Sequence, residues 1–205
     1  MVDHVRSASR PDFLSKPDLR GERVLLRPVT ADDVSALMPM FRDADASRLT
    51  GSHDNGRLDE ARLRTWYGTR RVQDDRLDLA VVEQSTGTVI GEAVLNEWNP
   101  GNESCNFRIC LVPGTYGHGS GTEATRLIVG YGFEQLGPHR VSLGVYAFNP
   151  RARRVYEKVG FVAEGVLRDA LFWQGRRVDA AVMSILAPEW FQHRGRPQAA
   201  GPPSV

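Results

Sequence analysis

Cysteine is scarce: Cys105 and Cys110 are the only two in 205 residues. They lie an odd number of residues apart within one predicted strand and so face opposite ways, which argues against a disulfide between them. Two thiols also cannot build a zinc site, and both are expected to pack as small hydrophobes. Long apolar runs are missing as well. No stretch approaches a membrane span and no signal-peptide h-region opens the chain, so the expectation is a cytoplasmic protein without a membrane partner. Nor is there an excess of one charge. The 26 basic and 25 acidic residues leave a net charge of +1, which gives no electrostatic reason to expect a nucleic-acid partner. Finally, no Lys-Ser or Lys-Thr pair follows the glycines between Gly117 and Gly121, which excludes a Walker A loop. Those glycines fall in mid-chain after several strands, which does not fit a dinucleotide-binding βαβ unit.

What is present suits one compact domain, with 41% hydrophobic and 25% charged residues. Residues 1–20, with Pro11 and Pro17, read as a loose amino-terminal arm, and 193–205 as a disordered tail rich in Pro and Gly. Between them, 21–192 form the domain. Strands are expected at Glu22–Val29, Leu77–Glu83, Val89–Trp98, Phe107–Val112 and Arg140–Tyr146, with a closing hairpin from Phe161 to Leu186 about Gln174-Gly175. Helices are expected from Thr30 through Phe41, with Asp33 completing a capping-box-like start, and over Asp59–Gln73. Two more follow, one after the glycines and one from Asn149-Pro150 to Gly160. Asp43 to Leu58, with Gly51, Asn55 and Gly56, reads as an irregular loop. The fold class is α+β (mixed α/β): one curved mixed sheet of six to seven strands with helices on both faces.

The segment Gly117-His118-Gly119-Ser120-Gly121-Thr122 joins a strand that runs into Pro113 to a helix carrying Leu127, Ile128, Val129 and Tyr131. Glycines let successive N–H groups turn inward, and the first helical turn offers unpaired N–H groups at the positive end of the dipole. That arrangement suits a phosphorylated ligand. The same glycines also fit an ordinary turn or cap.

Three segments in order narrow the choice: Gly117 to Ala124, Asn149-Pro150-Arg151-Ala152, and Val155-Tyr156-Glu157-Lys158-Val159-Gly160-Phe161. They resemble successive motifs of the GNAT N-acetyltransferases. The likeness runs from roughly residue 22 to 190 and is strongest after Asn106. Within the family the chain is most similar to the ribosomal-protein-alanine acetyltransferase branch, which the hairpin Arg168 to Gly175 with Asp179 and Met183 also fits. The resemblance implies acetyl-CoA as cosubstrate, no metal, and a splay between two central parallel strands that holds the pantetheine arm near Leu111. It implies that Gly117, His118, Gly119, Ser120, Gly121 and Thr122 cradle the pyrophosphate. The backbone N–H near Val112 would polarise the thioester carbonyl, and Tyr156 would protonate the departing thiolate. A phenol, which ordinarily titrates near a pKa of about 10, keeps that proton at neutral pH. The other reading of Tyr156 is a core aromatic with its hydroxyl hydrogen-bonded.

Asn149 serves either as an N-cap before Pro150 or as a pantetheine contact, and both roles can hold together. Of the cluster Arg151, Arg153 and Arg154, the last is assigned to the 3′-phosphate of CoA; the alternative is an exposed helix face. Many relatives carry a glutamate base where this chain has Asn106. Glu92, Glu97 and Glu103 are nearby substitutes, each expected to be a solvated strand or turn residue. The resemblance implies a primary amine as acceptor, either a protein amino terminus or a small molecule. Asp43, Asp45, Asp54, Asp59 and Asp169 are candidates to attract a cationic one. A non-catalytic acyl-CoA-binding sensor or scaffold is the competing reading. The closing hairpin with Trp173 leaves both a homodimer contact and a monomer with a covered sheet edge open.

Overall fold

Polar and apolar residues fail to alternate along Leu77–Glu83 and Val89–Asn99, where six successive positions of each are buried. Strands covered on both faces read this way. The computed structural model describes residues 11–53 and 59–194. Its strands are β1 (Leu19–Arg20), β2 (Val24–Pro28), β3 (Leu77–Glu83), β4 (Val89–Asn99), β5 (Ser104–Leu111), β6 (Arg140–Tyr146), β7 (Val162–Trp173) and β8 (Arg176–Leu186). They form one eight-stranded sheet in the order β1-β2-β3-β4-β5-β6-β8-β7. The strand beyond the expected six to seven is β1. It lies in the segment read as an arm, where Phe13 is also buried.

Among the described residues only β5 and β6 run parallel. Their pairing covers Ser104↔Arg140, Cys105↔Val141 and Asn106↔Ser142 and then stops, although β5 continues to Leu111 and β6 to Tyr146. A wedge therefore opens between the two central strands, as expected. On the other side of β5, pairing with β4 extends to Gly91↔Leu111. A Cβ on Gly91 would collide with the Cys110 carbonyl oxygen, so glycine is what lets the strands approach here.

The sheet is covered on both faces. On one, α1 (Val34–Arg42) and α3 (Glu60–Gly68) bury Val34, Leu37, Met38, Leu63 and Tyr67 against Val29 and Ala80. On the other, α4 (Ser120–Tyr131) and α5 (Pro150–Val159) bury Ala124, Ile128, Tyr156 and Val159 against Leu26, Leu79, Leu95, Phe107 and Leu143. Trp190 of α6 (Ala187–His193) joins this second core. Cys105 belongs to it too, whereas Cys110 packs against the first, so the thiols face opposite ways.

Two helical expectations need correction. The segment after Asp43 is not irregular throughout: α2 (Ala44–Thr50) forms there, started by the Asp43 side chain accepting from Ala46 N–H at 2.7 Å and ended by Gly51 in the left-handed region. Asp59–Gln73 is not one helix; α3 ends at Gly68 and a separate 3-10 turn spans Arg70–Val72. At the start of α1, Asp33 does reach back, accepting from Thr30 N–H at 2.8 Å, and it also grips Arg27 at 2.6 Å.

Candidate active site

Strand geometry decides which backbone groups line the wedge, because successive residues direct their N–H and C=O groups to opposite sides. The Val112 N–H donates to the Ile90 carbonyl at 2.8 Å, on the β4 side. The expectation that an N–H near Val112 is free to polarise a thioester is corrected for Val112 itself. Alternation instead turns Leu111 and Ile109 toward the wedge. The Leu111 carbonyl is already met there by the Tyr116 hydroxyl, which donates at 3.2 Å.

Gly117 and Gly119, with φ of 97° and 86°, carry the chain from the end of β5 into α4 through the left-handed region. The first backbone bond into the helix is Glu123 N–H to Gly119 O at 3.0 Å. The N–H groups of Ser120, Gly121 and Thr122 thus have no partner among the described residues at the positive end of α4. Gly117, His118 and Gly119 are exposed, and Ser120 is buried beneath them. The helix end is pinned by Glu123, whose carboxylate accepts the N–H groups of Glu22, Arg23 and Val24 at 2.7, 2.8 and 2.9 Å. The exposed turn and helix end, which suit an anion, are thus braced by an acidic residue of the same helix.

Across the wedge stands α5. Asn149 caps it, its side chain accepting from Ala152 N–H at 3.1 Å with Pro150 next. Tyr156 is 7% exposed and its ring lies 6.1 Å from Phe107 and 5.9 Å from Phe161. Its hydroxyl makes no hydrogen bond among the described residues, so it is not the satisfied core tyrosine of the alternative reading. Burial, with a smaller contribution from Cys110, pushes its pKa well up, so the phenol stays protonated. The arginines separate. Arg151 lies over the Tyr116 ring at 3.9 Å and Arg153 pairs with Glu157 at 2.8 Å. Arg154 is exposed and has no partner among the described residues.

A cleft of about 330 Å³ opens at the mouth of the wedge, lined by Asp43, Asp45, Arg48 and Leu49 from α2 and its start, by Pro113 and Tyr116, and by Phe148 to Arg151. Its α2 wall is braced: Arg48 lies over the Phe148 ring at 4.8 Å and His53 faces Trp173 at 5.3 Å. Of the four candidate acids among the described residues, Asp43 and Asp45 line this cleft. Asp43 caps α2 and Asp45 pairs with Arg48 at 3.2 Å. Asp59 caps α3 and Asp169 lies on β7, while Asp54 lies outside the described residues.

Glu97 and Glu103 are exposed, as expected, but Glu92 is 3% exposed and is not a solvated strand residue. Its carboxylate accepts from the Tyr67 hydroxyl at 2.6 Å and from Arg108 at 2.8 Å. Burial, then the adjacent carboxylate, drives the Tyr67 pKa up. Burial likewise pushes the Cys110 thiol up to about 12, with the charges of Glu92, Arg108 and Asp43 all acting on it. Asn106 holds the position expected of a base and donates instead to Asn96 at 3.2 Å. Sequence reasoning missed Tyr116, Arg48, Phe148 and Arg108. An aromatic just before the glycines was the one signal that marked Tyr116 in advance.

The profile described as an acetyltransferase (GNAT) domain matches residues 23–162. The uncharacterized N-acetyltransferase YoaA of Bacillus subtilis is 25% identical over 173 residues, covering 84% of this chain and 98% of that protein. The spermidine N(1)-acetyltransferase of Vibrio cholerae is 32% identical over 121 residues, 59% of this chain and 70% of that one. Among solved structures, the spermidine N-acetyltransferase of Vibrio cholerae in complex with CoA and spermine superposes with a TM-score of 0.76 at 24% identity. It covers 83% of this chain and 99% of that chain, a likeness of fold.

Proposed function

The chain belongs to the GNAT acetyltransferase family, and from that premise we propose that the β5–β6 wedge, the glycine turn and Tyr156 form the site where acetyl passes from acetyl-CoA to a primary amine. The protein is an N-acetyltransferase, and acetyl-CoA supplies the activated acetyl group. The residues present suit such a donor. The unpaired N–H groups of Ser120, Gly121 and Thr122, with Gly117, His118 and Gly119 before them, receive a pyrophosphate. Arg154 has its guanidinium free for the 3′-phosphate. The strand edge at Leu111 lies along the pantetheine path, whereas the Val112 N–H is turned to β4; Asn149 adds a contact beyond its capping role.

The observation that carries the reading is Tyr156, whose ring is packed against Phe107 and Phe161 and whose hydroxyl has no hydrogen-bond partner among the described residues. A phenol hydroxyl that the protein leaves without a partner is free to donate to a bound ligand. Tyr156 holds a proton that the sulfur of CoA takes up as it leaves. The acceptor is an amine of a protein terminus or of a small molecule. The ribosomal-protein-alanine branch remains supported by the motifs of the closing hairpin, and a homodimer by the exposed Val162, Val166 and Leu167 of β7. The test is thiol release from acetyl-CoA with a panel of amines. Tyr156→Phe is expected to lower kcat about 100-fold while CoA still raises the melting temperature. Unchanged kcat in that variant excludes Tyr156 as the acid.

A further inference from the structure

We propose that Arg108 selects the acceptor, and that the preferred amine carries a carboxylate; this deepens the acetyltransferase reading and rests on it. Arg108 is two residues beyond Asn106, the last residue of β5 paired with β6, so it sits where the wedge begins. Alternation along β5 puts its side chain on the same face as Asn106 and Cys110, the face covered by α1 and α3 and opposite to Tyr156. An acceptor that meets the donor through the wedge from this face passes Arg108.

The guanidinium is held but not used up. One Nη2 bond to Glu92 at 2.8 Å anchors it, and the Glu92 side chain is 4% exposed where that of Arg108 is 51% exposed. Tyr67, donating to the other carboxylate oxygen at 2.6 Å, fixes the anchor in turn. Burying a carboxylate in a sheet costs free energy that an apolar residue would avoid. Here it orients a cation whose Nε and Nη1 have no partner among the described residues. Space lies across from it. Gly144 is as far beyond Ser142 on β6 as Arg108 is beyond Asn106 on β5, and a Cβ on Gly144 would meet no heavy atom within 4 Å. A forked donor beside open space suits a planar carboxylate. Of the acids at the cleft mouth, Asp43 caps α2 and Asp45 is paired with Arg48.

The experiment compares kcat/KM for matched amines that differ only in carboxylate against carboxamide: amino acids and their amides, and short peptides with Glu or Gln at the second position, with spermidine as a polycationic control. The wild-type protein should favour the carboxylate member of a pair by at least about tenfold. Arg108→Gln should abolish that preference, chiefly through KM, and alter the carboxamide member less than about threefold. Arg108→Lys should keep part of it. Arg108→Gln leaves Glu92 buried without its cation, so the double variant Arg108→Gln/Glu92→Gln, which removes both charges, should lose the preference in the same way. Equal loss for both members of a pair, no preference in the wild type, or spermidine as the best acceptor would overturn the assignment while leaving the acetyltransferase reading intact. Absence of both thiol release and thermal stabilisation by CoA overturns the underlying reading, and this inference with it.

Discussion

At the scale of single residues, Glu123 stands in the glycine motif yet its carboxylate is occupied by the chain itself, through three backbone N–H groups of the β1–β2 turn. Charge-assisted bonds of this kind make Glu123→Ala destabilising by about 2 kcal/mol, measurable by urea unfolding; unchanged stability would mean that the turn is held by something else. Asn149 separates two roles that its position leaves open. Loss of the cap alone in Asn149→Ala costs about 1 kcal/mol, and an added rise in KM for acetyl-CoA would report contact with the cofactor. The cap made by Asn149 was legible from its place before Pro150. Glu92 was not, because a glutamate on a strand is ordinarily solvated. Its burial depends on Tyr67, 25 residues away along the chain, arriving from α3.

At the scale of elements, α2 shows how local signals are outweighed. Asp43 and Gly51 are a sound start and stop for a short helix, but Gly51, Asn55 and Gly56 together suggested a loop, and the seven residues of α2 have little periodicity to set against that. Yet this helix supplies a wall of the cleft. The central strands β3, β4 and β6 and helix α5 were legible, since their apolar runs are bounded by Gly, Pro and Asn. Gly91 controls the junction of β4 with β5 beside the wedge. Gly91→Ala would push against the Cys110 backbone, and a loss of about 2 kcal/mol is expected by analogy with overpacked interiors. Thermal unfolding checks it, and acetyl-CoA KM should rise because the edge at Leu111 moves. An unchanged melting temperature would show that the strands yield freely.

At the scale of the molecule, the edge strand β7 is fastened to the sheet by Glu164, which accepts from Arg140 of β6 and from Ser184 of β8 at 2.7 Å. The bonds from Arg140 and then Ser184 lower its pKa from 4.5 to about 2. A carboxylate depressed in the folded state adds stability above its unfolded pKa, and that contribution is lost as pH falls from about 4.5 toward about 2. Asp33 adds in the same direction: burial raises its pKa, but its bonds from Arg27 and Thr30 outweigh this and hold it low. Glu164→Gln should therefore flatten the fall in melting temperature across that window, and a slope identical to wild type would remove Glu164 from the account. Among the described residues no helix is long and apolar enough to cross a membrane. The sequence by itself determined where most strands and helices lie and which glycines open the helix after β5, because these depend on neighbours within a few residues. Only the tertiary structure decided that β5 and β6 part after Asn106, that the Val112 N–H is engaged by Ile90, and that Glu92 is buried beneath Arg108. Each depends on which strand or helix lies alongside, and contacts between distant segments leave no local pattern in the chain.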